Sequence, residues 1–412
     1  MLSTFLTKSR SRPLLPQAGL LRLVYGLFVA CGVAQSAIVP LLPHLSARYG
    51  LSSAATALLL AVPGLATLAV SVPAGLAADR YGARRVTLAA GVLLCVSCLA
   101  QAGQSLALLM AGRIAFGIAF GIVWTTGVAW LAEVDDGADA GGSSRLGPAV
   151  TCSSVGVMIG PAVGGLLGQI AGTGLPFVLI AVVTAAVVAP LALGSTSAGE
   201  RPAAREVPRR RAPRGAVLAL ARRPGFAAAA GGLVVAGAVS GSSQLLITAG
   251  LHADGVSTGR IGLAFSAAAV GYIAVSSAIV KLGKRAQTLR FNALATALLA
   301  MAMVPALASG AVAALVMALV LCSVPRAAVS TIAYALPSVG DGDGFVIGIL
   351  NGAWAAAMVL TPVLAGALEQ HGGAQLGYLA VIVPCAAIAV ALIAGARPWN
   401  VAARMTAYYS SS

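Results

Sequence analysis

Twelve apolar runs follow one another along the chain, at approximately 18–43, 53–78, 86–104, 107–131, 147–170, 175–193, 226–250, 257–280, 287–307, 310–334, 344–367 and 374–395. A helix that crosses a bilayer needs about 20 apolar residues, so each run predicts one transmembrane helix. The polar breaks are short except over residues 194–225. There Ser195, Thr196 and Ser197 are followed by Pro202, Pro208, Pro213 and eight arginines, the composition of an aqueous linker. The chain therefore divides into a first bundle of six helices over 1–193, a basic linker over 194–225, a second bundle of six over 226–396 and a tail over 397–412. Within the linker, Ala216 to Arg223 reads either as a short helix lying on anionic lipid or as plain tether.

The two halves repeat. A shift of 201 residues carries Asp79-Arg80-Tyr81-Gly82-Ala83-Arg84 onto Val280-Lys281-Leu282-Gly283-Lys284-Arg285. The same shift carries Gly160-Pro161 onto Thr361-Pro362, and Gly164-Gly165 onto Ala365-Gly366. Two motifs at one offset predict an all-α membrane protein of twelve transmembrane helices in two pseudo-symmetric six-helix bundles. The second copy lacks the aspartate.

Charge sharpens the picture. Of the 412 residues 59% are hydrophobic and 9% charged, against about a quarter charged in soluble domains. The formal net charge of +15 invites a nucleic-acid reading, but position decides against it. Of the 26 lysines and arginines, 21 fall to one side, Arg48 and Arg260 to the other, and Arg22, Arg113 and Arg326 inside spans. That bias marks the cytoplasmic side, so both termini and the linker are expected there, and no nucleic-acid partner is. Lys8, Arg10 and Arg12 precede an apolar run like that of a signal peptide, but the run continues past the small residues 34–37. An uncleaved first span is expected. The six cysteines all fall in apolar runs and read as small core residues; Cys95-Val96-Ser97-Cys98 has redox spacing without a redox context. His44, His252 and His371 are scattered, and no metal site follows from them.

Between the second and third runs, Gly75-Leu76-Ala77-Ala78-Asp79-Arg80-Tyr81-Gly82-Ala83-Arg84-Arg85 has to turn the chain in water. Gly75 and Gly82 permit a tight backbone. Asp79 is placed either to cap the next helix or to pair with an arginine. The stretch resembles the signature loop of the major facilitator superfamily, roughly G-x-x-x-D-R-x-G-R-R, through Gly75, Asp79, Arg80, Gly82, Arg84 and Arg85. The resemblance implies a secondary transporter whose two halves rock about a central site. Glu133 and Arg145 fall where family members keep charges that pair with this loop. The resemblance thus implies a cytoplasmic latch of Asp79, Arg80, Arg84, Glu133 and Arg145 that holds the outward-facing state; the plainer reading is a set of solvated turns.

The fifth run carries Gly156, Gly160, Gly164 and Gly168 four residues apart, on one helix face, with Pro161 and Gly165 among them. A bare stripe admits a close neighbour, and the proline bends its helix. The Gly-Pro-x-x-Gly-Gly core resembles the fifth-span motif of exporters in this superfamily, especially the twelve-span drug:proton antiporters; generic small-residue packing is the alternative. In the fourth run Arg113 followed by Gly117 and Gly121 also resembles the family pattern. An arginine in the bilayer is costly and normally faces a wet cavity or a partner, so Arg113 and Trp124 are expected to share a cavity wall. Arg326 is a second coupling or cavity candidate.

In this architecture spans 1, 4, 7 and 10 line the cavity. They offer Gln35, Ser36, Thr125, Ser240, Ser243 and Gln244, with Asn351 and Trp354 from span 11. Any one of these also reads as ordinary glue between helices. All eleven acidic residues fall in loops or at span ends, and two buried arginines favour neutral or anionic cargo. The reading reached is a proton-coupled exporter of a small neutral or anionic amphipathic molecule. It is expected to be a functional monomer in a bacterial plasma membrane, with no bound cofactor and a proton gradient as its energy source. An uptake symporter or facilitator is the alternative, and a membrane receptor or enzyme the remote one. No catalytic cluster or nucleotide-binding motif supports the last.

Overall fold

The computed structural model describes residues 17–133, 143–193, 223–336 and 344–409. In chain order the helices are α1 (Gln17–Ser36), α2 (Leu42–Tyr49), α3 (Ser53–Tyr81), α4 (Ala83–Gln101), α5 (Leu106–Ile122), α6 (Val128–Glu133), α7 (Ser143–Ala171), α8 (Leu175–Leu193), α9 (Pro224–Ala253), α10 (Thr258–Leu282), α11 (Leu289–Ala300), α12 (Val304–Ala308), α13 (Val312–Ala333) and α14 (Gly344–Tyr409). Among the described residues, eleven stretches are long and apolar enough to cross a membrane. The last, Gly348–Ala394, holds two crossings, because α14 breaks at Gly372 and Gly373. Twelve crossings result, as the apolar runs predict.

Several crossings are less regular than the runs suggest. The first continues beyond α1 through a 3-10 turn at Val39–Leu41 and then α2, so it reaches Tyr49 rather than residue 43. Pro40 lies in that turn; lacking an N–H, it suits a helix start better than a helix interior. The ninth crossing is interrupted between α11 and α12. In the fourth, a π turn over Val123–Gly127 joins α5 to α6.

The repeat is visible in the backbone. Gly82 has φ 86°, and Gly283, 201 residues later, has φ 54°. Gly172 has φ 80°, and Gly373, at the same offset, has φ 77°. Side chains with a Cβ rarely adopt these angles, so each half turns on glycine at the same two places. The helix α4 begins at Gly82 without a side-chain cap. Of the two roles open to Asp79, cap or ion pair, the cap is not made: glycine geometry and the exposed backbone serve instead.

By contacts the described chain forms two units. The first comprises Met1–Ala34, Ala66–Gly156 and Phe177–Glu206. Its helices meet through bare backbone and single hydroxyls. Gly112 sits where a Cβ would lie 2.8 Å from Ser97 O, Thr67 Oγ1 donates to Gly117 O at 2.8 Å, and Thr87 and Thr126 share a buried bond of 2.7 Å. The second unit comprises Gln35–Leu65, Val157–Pro176 and Val207–Ser412. Its interior is built on Leu233, Val239, Leu246, Ile247, Leu319 and Ile332, all buried. Large apolar side chains such as Val72, Ile170 and Leu193 are more than 70% exposed. On a membrane-spanning chain these face lipid, where apolar exposure costs nothing and close packing carries the stability.

Candidate functional site

The glycine stripe of α7 does what its spacing predicts. A Cβ on Gly156 would fall 2.2 Å from Val29 O, one on Gly164 1.9 Å from Ala37 O, and one on Gly168 2.3 Å from Leu41 Cδ2. That face lies against the first crossing for its whole length. Gly160 and Pro161 are buried between them. Gly165 points elsewhere: its Cβ would stand 2.5 Å from Thr258 O, and a Cβ on Gly262 would stand 2.1 Å from Pro161 O. Two helices thus approach α7 within backbone contact, on two sides. The Ala162 N–H donates to Ser266 Oγ at 3.0 Å, and Gly259 N–H to Gln169 Oε1 at 3.1 Å. A backbone donor inside a helix reaches another helix only where its own ladder is loosened, here next to Pro161.

The counterpart contact involves Gly366, aligned with Gly165 by the repeat. A Cβ there would lie 2.8 Å from the carbonyl carbon of Ser53, at the start of α3. At the same end of the second unit the rings of His44 and His252 stand 5.0 Å apart, and His44 Nδ1 is 3.3 Å from Thr258 Oγ1. The sequence shows these histidines as scattered; folding brings two of the three together.

In the fourth crossing Arg113 is 2% exposed, with its guanidinium 5.4 Å from the Phe116 ring. Phe116, Phe120 and Trp124 continue from it as a ladder with centroids 5.7 and 6.1 Å apart, and Trp124 meets Phe28 edge-on at 5.1 Å. Arg113 and Trp124 therefore share a helix face, as their spacing predicts. Trp124 lies in the π turn, and its Nε1 is buried without a hydrogen-bond partner. Such turns often mark functional positions. Thr125 Oγ1 donates to Gly121 O, one turn back, and its methyl group lies nearest Gly75.

The other cavity candidates fall in the second unit. Arg326 donates from Nη1 to Ser240 Oγ, and its guanidinium lies 4.9 Å over the Tyr272 ring. Its Nε is buried with no acceptor. Tyr334 Oη donates to Asn351 Oδ1, and Thr331 to Ser276 Oγ at 3.2 Å. Ser243 donates to Ser240 O at 3.0 Å; the Trp354 carbonyl lies against Gly237. Gln35, Gln244 and Trp354 are half-buried, and Ser36 is buried. Tyr272 and Tyr334 escaped the sequence reading, although a tyrosine inside an apolar run was the available signal.

At the basic turn, Asp79, Arg80 and Arg85 are exposed. Arg84 Nη2 donates to Leu191 O at 3.2 Å, and Arg80 lies 5.2 Å over the Tyr81 ring. The side chains of Glu133 and Arg145 lie outside the described residues. The cysteines are free, with Cys31, Cys98, Cys322 and Cys385 buried.

Comparison with known proteins follows the same line. The profile of the Major Facilitator Superfamily matches residues 24–340. An uncharacterised MFS-type transporter of Schizosaccharomyces pombe is 34% identical over 154 residues, which is 35% of this chain and 34% of that protein. The MFS-type transporter ppzB of Metarhizium majus is 34% identical over 121 residues, 29% of this chain and 26% of that protein. The chain thus spans about a third or less of the length of these relatives. In fold it is similar to a bacterial homologue of the human lysosomal transporter Spinster in an inward-facing, occupied conformation. That likeness has a TM-score of 0.71 and 14% identity, over 93% of this chain and 96% of the other. The nucleoside transporter NupG is similar at a TM-score of 0.69 and 13% identity, over 91% and 99%. Because the family match runs through most of its length, the chain belongs to the Major Facilitator Superfamily and is a multi-pass membrane protein.

Proposed function

We propose that the chain is a proton-coupled exporter of small neutral or anionic amphipathic molecules, of the drug:proton antiporter kind, working by alternating access. The observation that carries this reading is the seating of the Gly-Pro-x-x-Gly-Gly segment of α7. Within the second unit the helix meets the first crossing at Gly164 and α10 at Gly165, both at backbone distance. Close backbone contact holds the helices together, and because no side chains interlock across it the same face can be seated again in a second arrangement, which suits a gate. Arg113 and Arg326 add positive charge inside apolar helices, which disfavours cationic cargo. The basic turn and linker lie on the cytoplasmic side of a plasma membrane, in keeping with the positive-inside bias. The alternative, an uptake symporter or facilitator, has no comparable observation in its favour.

Everted membrane vesicles test the direction. With the vesicle interior acidified, small amphipathic carboxylates should accumulate against their gradient, and collapsing the pH difference should release them. Accumulation confined to right-side-out vesicles would reverse the assignment to uptake.

A further inference from the structure

The guanidinium of Arg326 is built into three helices of the second unit and has one edge unclaimed. Pro325 precedes it in α13, and the side chain meets Ser240 on α9 through Nη1 and Tyr272 on α10 through its face. Nearby packing fixes these helices against one another: Gly271 lies in contact range of Val324, and Gly232 of Val329. Among the described residues no carboxylate pairs with Arg326, and its Nε is buried with no acceptor. An arginine has five N–H donors in a rigid fork. Ser240 occupies one arm, and Tyr272 covers the plane. The Nε–Nη2 edge remains, and it has the width of one carboxylate, which such an edge binds through two parallel bonds.

We infer that Arg326, Ser240 and Tyr272 form a binding subsite for the carboxylate of a small monoanion with an apolar body. The inference narrows the neutral-or-anionic cargo of the transport reading and rests on that reading only for the cargo's fate. A single guanidinium neutralises a single charge. A doubly charged phosphate would keep one charge uncompensated among apolar helices, where charge is costly; a carboxylate would not. The neighbouring groups fit the remainder of such a molecule. Tyr334 and Asn351 are already bonded to each other, and Thr331 to Ser276, so they offer surface rather than further charge.

The test uses the purified full-length chain in lipid nanodiscs and titration calorimetry with phenylacetate, phenylacetamide and inorganic phosphate. Phenylacetate is expected to bind roughly ten to a hundred times more tightly than phenylacetamide, the range of a charge-assisted pair. Phosphate should not displace it. Arg326→Gln should equalise acid and amide, whereas Arg326→Lys should keep part of the preference and so report on charge in a folded protein. Equal affinity for acid and amide, no binding of phenylacetate at millimolar concentration, or an undiminished preference in Arg326→Gln would each overturn the subsite. Flux in proteoliposomes separates the two readings. Selective binding without pH-driven flux removes the exporter and leaves the subsite. PH-driven flux of neutral molecules, with no preference in binding, does the reverse.

Discussion

Gly165 and Gly262 face each other so closely that a Cβ on either would stand 3.1 Å from the Cα of the other. Neither helix can yield, because the obstacle in each case is backbone. Overpacking of this kind costs about 1–3 kcal/mol. Gly165→Val or Gly262→Val should therefore weaken the closure between α7 and α10 without unfolding either helix. Thr258→Cys, at a position 5% exposed, reports it in a background stripped of other cysteines. Maleimide labelling should be slow with glycine present and fast in either valine variant. Equal labelling would mean that this contact does not seal the end.

The histidine pair makes a second contact, between α2 and α9, open to a test with acid. Histidine is the side chain that changes charge between pH 5 and 8. Two imidazolium ions 5.0 Å apart repel by ~0.8 kcal/mol in bulk water, and both rings are exposed, so the larger values of a buried site do not apply. Arg48 and Arg260 add positive charge on α2 and α10, and Asp254 subtracts some at the end of α9. Positive charge on both rings opposes their contact, and neutral rings leave it unopposed. Spin labels at Ala47→Cys and Ala253→Cys should show the separated fraction rising by about fourfold or less between pH 7.5 and 5. His252→Gln should flatten that response; an unaltered response would acquit the pair.

The repeated elbows differ from ordinary turns in what they tolerate. Gly82 combines φ 86° with ψ 137°, and Gly283 φ 54° with ψ −135°, conformations open essentially to glycine. Alanine at either position should cost about 1–3 kcal/mol of stability, visible as a lower thermal midpoint in detergent. Gly310 has no positive φ and open space around its α-carbon, so Gly310→Ala should leave the midpoint unchanged.

Asp79 offers a test of the latch. Among the described residues it makes no ion pair, and it is exposed at the end of α3. Exposed pairs are worth about 0–1 kcal/mol, so Asp79→Asn should slow turnover by less than about tenfold while insertion and folding stay intact. Flux identical to the native rate would take the latch out of the cycle.

The helices and the repeat were legible because lipid imposes length and sign on a sequence. Runs of apolar residues, the bias of arginines and the offset of 201 all follow from local composition. The α7 stripe was legible for a similar reason: helical spacing alone puts Gly156 and Gly164 on one side, and the first crossing occupies it. What escaped depends on pairing across the chain. His44 and His252 have no local pattern, and Arg326 announces a need for a partner without naming Ser240 or Tyr272. The break in the ninth crossing at residues 301–303 is marked by Pro305 at the start of α12, a signal the reading of the run as one helix passed over. The role of Asp79 stayed open between cap and ion pair because the motif permits both, while the left-handed Gly82 starts α4 without a side-chain cap.

The π turn at Val123–Gly127 has a bearing on deletions. Each such turn stores one residue more than an α-helix needs over the same rise, and shedding it would let the span straighten. Everything beyond residue 127 would keep nearly its present facing relative to α5, because the wide turn already absorbs the extra residue's rotation. Trp130, buried at 3% exposure, would stay in its socket. The same one-residue deletion placed in regular α5 would instead turn the rest of the fourth helix by roughly a quarter of a revolution and present its wrong side to its neighbours.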